Sequence, residues 1–231
     1  MTAVYPDITN PVVAPPGVYP PQEDSQLLID ALQNSGLAPG RRVVDLGAGS
    51  GVLAIAAATM GARDVTAFDV CPSAVACARI NARTAGVHVD FRLGSWTLAK
   101  AAAPFDVAVA NPPYVPAGPH AEAEAIPTTA GPTYAWNAGP DGRLILDPLC
   151  DSAAELLTDG GTLLLVQSGF ADVAQSLRRL RSSGLSADVV ATKLIPFGPV
   201  LTARAGWLED IGLLPVGRRE EELVVIRADK P

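Results

Sequence analysis

The 231-residue chain alternates short apolar runs with stretches whose apolar positions recur every three or four residues, and this alternation begins at Gly40. Runs at 41–47, 64–70, 87–94, 105–111 and 161–168 have the length and aliphatic content of buried strands. The stretches 51–61, 72–86, 95–103 and 143–157 carry helical spacing, with Pro72 suited to a first turn. Strand and helix in strict succession require right-handed crossovers and a parallel sheet, so an α/β fold is expected. A helix at 171–184, a strand at 186–196, a helical stretch at 201–212 and a strand at 221–228 complete the chain. Ahead of Gly40, residues 23–36 read as a helix with Leu27, Leu28, Ala31 and Leu32 on its apolar face, capped by Asp24 or Ser25 and stopped by Gly36. A proline-rich extended arm, 1–22, precedes it. Residues 23–231 are expected to form one domain with a helical insertion near 197–217.

Composition narrows this picture. Hydrophobic residues make up 48% but aromatics only 5%, so Ala, Val and Leu must fill the core. The most apolar window, 51–62, is too short to cross a bilayer and holds glycines. The N-terminal sequence lacks the basic start and apolar core of a secretory signal, and a cytoplasmic location is expected. Three cysteines and two histidines show no metal-ligand spacing, so no metal is expected. A net charge of −7 argues against a broad nucleic-acid footprint. The arginine groups at 41–42, 178–181 and 218–219 read as solvated faces.

Chemistry concentrates at the strand ends. In "VVDLGAGSGVLAIAAA", glycines 47, 49 and 51 allow a sharp turn and let a ligand approach the main chain. Asp45, two residues before Gly47, would repel a pyrophosphate and attract a cation. S-adenosyl-L-methionine, with its ammonium and sulfonium, fits a site of that charge. Asp69 ends the second strand in "AFDV", beside Val70, where a carboxylate can hold a ribose diol; capping the following helix is its other role. Ser95 and Trp96 end the third strand, where a hydroxyl and an indole can meet an adenine, although Trp96 equally suits core packing.

These stretches, followed by "NPPY" at 111–114, resemble the class I S-adenosylmethionine-dependent methyltransferases. The resemblance covers about residues 19–194 and the last strand. It implies a Rossmann-like fold, a mostly parallel seven-stranded sheet with helices on both faces, and S-adenosyl-L-homocysteine as product. Members usually carry Asp at the position of Ser95.

An apolar run that stops at Asn111, Pro112, Pro113 and Tyr114 is unusual for a plain turn. An amide or aniline-like nitrogen is a poor nucleophile because its lone pair is delocalised, and it must be aimed. The Asn111 side-chain oxygen and the Pro112 carbonyl can accept the two N–H bonds of such a group, the paired prolines stiffen the backbone, and Tyr114 can stack on its plane. The segment 112–142 is too long for filler in a compact domain, which points to function.

This motif serves adenine, guanine and glutamine nitrogens alike. Two further stretches are similar to the HemK-like release-factor glutamine methyltransferases: "GVYPPQEDSQLLIDAL", which the resemblance places against the methionine end of the cofactor with Ser25 as the cofactor-binding residue carried over, and "YAWNAGPDGRLILDPL", with Trp136, Gly139, Asp141 and Gly142 at matching places. That resemblance implies a release-factor glutamine as methyl acceptor. The short run before "VVDLG" is closer to single-domain members that act with a small partner protein. Two alternatives stay open: N-methylation of nucleic-acid bases or a small molecule, and a non-catalytic partner subunit that keeps the fold.

Overall fold

The computed structural model describes residues 12–119, 121 and 124–231, so half of the expected arm, 1–11, lies outside the described residues. Strands β1 Arg42–Leu46, β2 Asp64–Asp69, β3 Asp90–Leu93, β4 Phe105–Ala110, β5 Leu157–Ser168, β6 Ser186–Pro196 and β7 Glu220–Asp229 form one sheet. Their order is β3-β2-β1-β4-β5-β7-β6. β7 runs against both of its neighbours, while the remaining pairs are parallel. This is the α/β, mostly parallel seven-stranded sheet that the sequence implied.

The chain leaves β1 for β2 on one side and returns to β4 on the other. The carboxyl ends of β1 and β4 therefore flank a crevice where the winding reverses, the usual ligand position in open α/β sheets. β1 and β4 contribute Val43, Val44, Val109 and Ala110, all fully buried. Helices α1 Glu23–Ser35, α2 Val52–Thr59 and α3 Pro72–Thr84 pack in succession, and α4 Leu146–Leu156 packs on α5 Val173–Ser182. Val52 to Ala57 of α2 are all buried, which explains why this helix is apolar on every side rather than amphipathic. Helix α6, Pro199–Asp210, lies within the stretch between β6 and β7 that is expected to be inserted.

Several boundaries differ from the sequence reading, each for a local reason. Residues 95–103 form a 3-10 turn, Trp96–Ala101, capped by Ser95 accepting from the Thr97 N–H. Helix α4 starts at Leu146, not 143, because Gly142 has φ +76° and the Arg143 side chain turns inward to Asp147 and Ser176. The cap assigned to Asp24 or Ser25 is corrected. The N-cap is Gln22, with no side-chain bond, and Asp24 and Ser25 are buried inside the first turn, where Asp24 serves other donors. Likewise Cys71, not Asp69, is the N-cap of α3. No helix of the described residues is long and apolar enough to cross a membrane.

Candidate active site

At the end of β1 the N–H groups of Gly47 and Ala48 both donate to the Phe68 carbonyl, 2.9 Å each, tying the turn to β2. The Gly49 N–H donates to Asp69 Oδ2 at 2.7 Å, and Asp69 Oδ1 accepts from the Cys71 N–H at 2.8 Å. Each carboxylate oxygen keeps a second lone pair for a ligand. Gly47 and Gly49 have positive φ, and a Cβ on either would meet open space. Gly51 differs, because a Cβ there would come within 2.9 Å of Ala78 Cβ, so its absence lets α2 pack on α3. Two glycines open the turn and the third closes the helix packing.

Asp45 lies behind the turn, fully buried. One oxygen accepts from the Ala54 N–H at 3.1 Å, and Oδ1 has no partner among the described residues. Burial, reinforced by the charge of Asp69, raises its pKa to about 7 against the opposing Ala54 hydrogen bond. An unpaired buried carboxylate is costly, and a cation above the turn would relieve that cost.

A cavity of about 250 Å³ opens over the turn. Ser25, Gly47, Gly49, Asp69, Val70, Ser95 and Trp96 line it. Asn111, Pro112, Pro113 and Tyr114 wall the same cavity. Asp45 is the one predicted site residue behind the wall rather than in it. Asn111 donates its amide N–H to Ser25 Oγ at 3.4 Å, while its oxygen accepts from no described residue. That bond orients the carboxamide with its acceptor unspent, in a site joining the glycine turn to the proline pair.

Three further wall residues, Tyr19, Asp24 and Tyr134, carry no site role in the sequence reading. Tyr19 and Tyr114 both donate their hydroxyls to Asp24 Oδ2, at 3.1 and 3.0 Å, and Asp24 Oδ1 accepts from the Ser25 N–H at 2.6 Å. Burial and the Asp24 charge hold both phenols well above the usual tyrosine range, so they remain donors. Asp24 thus links the first turn of α1 to the residue after the two prolines, fixing the Tyr114 ring. Tyr19 and Asp24 stand inside the same "GVYPPQEDSQ" stretch that supplied Ser25, and that adjacency was the available signal. Tyr134 donates to Cys71 Sγ at 2.9 Å and joins the wall from the long loop. The described residues contain no group of three His, Cys, Asp or Glu that could hold a metal.

The family model "Methyltransferase small domain" matches residues 10–127, just over half of the chain. The chain belongs to the methyltransferase small-domain family. This methyltransferase is 31% identical over 190 residues to a Methanocaldococcus jannaschii protein provisionally described as a protein N5-glutamine methyltransferase, covering 82% of this chain and 92% of that one. It is 37% identical over 173 residues to a release factor glutamine methyltransferase of Deinococcus radiodurans. That match covers 74% of this chain but 61% of the relative, so this methyltransferase spans about three-fifths of that bacterial enzyme. Among solved structures, the E. cuniculi Mtq2–Trm112 complex, described as responsible for methylation of the eRF1 termination factor, aligns with TM-score 0.62 at 22% identity. The alignment covers 93% of this chain and 99% of that one, and it establishes a shared fold.

Proposed function

We propose that this methyltransferase transfers a methyl group from S-adenosyl-L-methionine to the side-chain amide nitrogen of a glutamine in a peptide-release factor. The observation that carries the reading is the oriented Asn111 carboxamide. Its nitrogen is engaged by Ser25, its oxygen accepts from no described residue, and Asn111 lines, with Pro112, the cavity that also contains the glycine turn. The cofactor fits the residues present: the Asp45 carboxyl, behind the turn, favours a cationic end above it through its charge, the Gly47 and Gly49 turn accommodates close approach, and Asp69 suits its ribose. When bound, the sulfonium supplies an activated methyl group and a neutral thioether leaving group.

The protein's own residues have a positioning task. The Asn111 oxygen and the Pro112 carbonyl accept the two N–H bonds of the substrate amide and aim its nitrogen lone pair. Tyr114, held by Asp24, flanks the amide plane. No group needs to titrate for the methyl transfer itself, and orientation of this kind can supply about 7–11 kcal/mol of the barrier. The amide proton leaves from the transiently cationic nitrogen product to solvent or to an adjacent acceptor.

Relatives named for release-factor glutamine support the protein acceptor over a nucleic acid, as does the net charge of −7. The reading includes a cytoplasmic location beside the translation machinery and a small partner protein of the kind bound in the Mtq2–Trm112 complex. The test is transfer of labelled methyl from the cofactor to a purified release factor, followed by peptide mass spectrometry. Label on one glutamine, lost when that glutamine is changed to alanine, is expected. Label on RNA, DNA or metabolites instead would overturn it. Equal activity of the purified chain with and without lysate would remove the partner.

A further inference from the structure

Arg204, in the middle of α6, is completely buried, yet it lies far in sequence from every motif of the active site. Its guanidinium touches the long loop at three separated points. Nη1 donates to the Pro116 carbonyl at 2.6 Å, Nη2 to Asn137 Oδ1 at 2.5 Å, and Nε to Glu124 Oε2 at 2.9 Å. The guanidinium carbon also stands 4.8 Å from the centroid of the Trp136 ring, a cation–π contact, and Trp136 walls the cavity. Between these points the two limbs of the loop are laced together. The Val115 N–H donates to the Trp136 carbonyl, the Ala138 N–H to the Val115 carbonyl, and the Ala117 N–H to the Gly139 carbonyl. One turn along α6, Trp207 packs so closely on Gly118 that a Cβ there would lie 2.9 Å from the indole.

A buried ion pair is a poor source of stability, because desolvation offsets attraction. Its fork of donors, in contrast, fixes geometry well: five N–H groups in one plane can satisfy acceptors from several directions at once. Here the acceptors belong to the outgoing limb, the returning limb and the tip of one loop, and that loop starts at Pro112.

We propose that Arg204 is a positioning residue of the methyl-acceptor site: inserted helix α6 uses it as a pin that sets loop 112–142 and thereby the Pro112 carbonyl, Tyr114 and Trp136. The kinetic part of this inference rests on the glutamine-transfer reading above; the loop part does not.

The test uses the full chain with Arg204→Ala and Arg204→Lys. Misplacing reacting groups by an ångström can cost about a hundredfold in rate, so Arg204→Ala is expected to lower kcat for release-factor methylation at least about tenfold. Cofactor Kd should stay within about threefold, since Gly49 and Asp69 have no hydrogen bond to α6 among the described residues. Added guanidinium ion should restore part of the lost kcat, which a merely weakened fold would not permit. Arg204→Lys keeps the charge but cannot reach three acceptors, so it should melt closer to wild type than Arg204→Ala and still lose kcat; it also serves if Arg204→Ala fails to fold. A kcat within twofold of wild type in both variants, or cofactor affinity falling in step with kcat, would overturn the proposal. If the wild type does not methylate a release factor, the acceptor reading fails separately, and amide hydrogen exchange decides the pin. Faster exchange at Val115, Ala117 and Ala138 with Gly49 unchanged supports it, and unchanged exchange at those amides sinks it.

Discussion

Asn111, Asp24 and Asp69 illustrate how little of the proposed chemistry depends on a charged group at the reacting centre. The Asn111 amide nitrogen faces Ser25, so on the proposed function removing the carboxamide would delete an acceptor for the substrate. Asn111→Ala is therefore expected to abolish turnover while leaving cofactor affinity within a few fold, as calorimetry and a labelled-methyl assay would read. Asp69→Ala should instead weaken the cofactor, because Asp69 both anchors Gly49 and faces the cavity. Tyr114→Phe keeps the ring but removes one of two phenol donors to a buried carboxylate. A loss of about 1.5–3 kcal/mol is expected in denaturant unfolding, with Tyr19 left as the remaining phenol partner of Asp24.

At the scale of elements, the three glycines of the turn make separable contributions. Gly51→Ala forces a side chain into φ +86° and into contact with Ala78 and Phe91, so α2 and α3 must part. The left-handed conformation alone costs about 1–2 kcal/mol, and crowding of a packed interface adds about 1–3. A clear drop in melting temperature is expected, larger than for Gly49→Ala, whose Cβ has free space. The sequence made this βαβ unit legible because strand period, glycine spacing and strand-end carboxylates are all local features. The wall that closes the cavity was less legible. Asp24 looks like a helix cap in sequence and acquires its role only when Tyr114, ninety positions away, is brought to it. Arg204 was illegible for the same reason, since its acceptors at 116, 124 and 137 are set by tertiary packing. Asp45 stands out in sequence as the acidic residue of the turn, but alternation along β1 could not tell whether it would line the cavity or stand behind it.

For the whole molecule, buried carboxyls link folding, pH and ligand. Burial first, and the charge of Asp69 as well, push the Asp45 carboxyl up from its ordinary 3.8 to about 7 in the fold. Glu221 is likewise raised to about 7, again chiefly by burial, with Asp24 contributing. A carboxyl whose folded pKa is raised binds its proton more tightly in the native state. Its stabilising contribution is present below about pH 4 and is lost as pH rises towards 7. The stability of wild type relative to Asp45→Asn should therefore fall across that window in thermal melts. A cationic ligand favours the ionised form, so cofactor affinity should rise over the same range and level off above about pH 7, a trend that Asp45→Asn should flatten. The most direct measurement of the whole account is a crystal structure with S-adenosyl-L-homocysteine and a glutamine-containing release-factor peptide. It should place the glutamine amide between Asn111 Oδ1 and the Pro112 carbonyl, with the nucleoside beside Asp69. A nucleoside bound away from the glycine turn, or a glutamine amide that contacts neither acceptor, would contradict it.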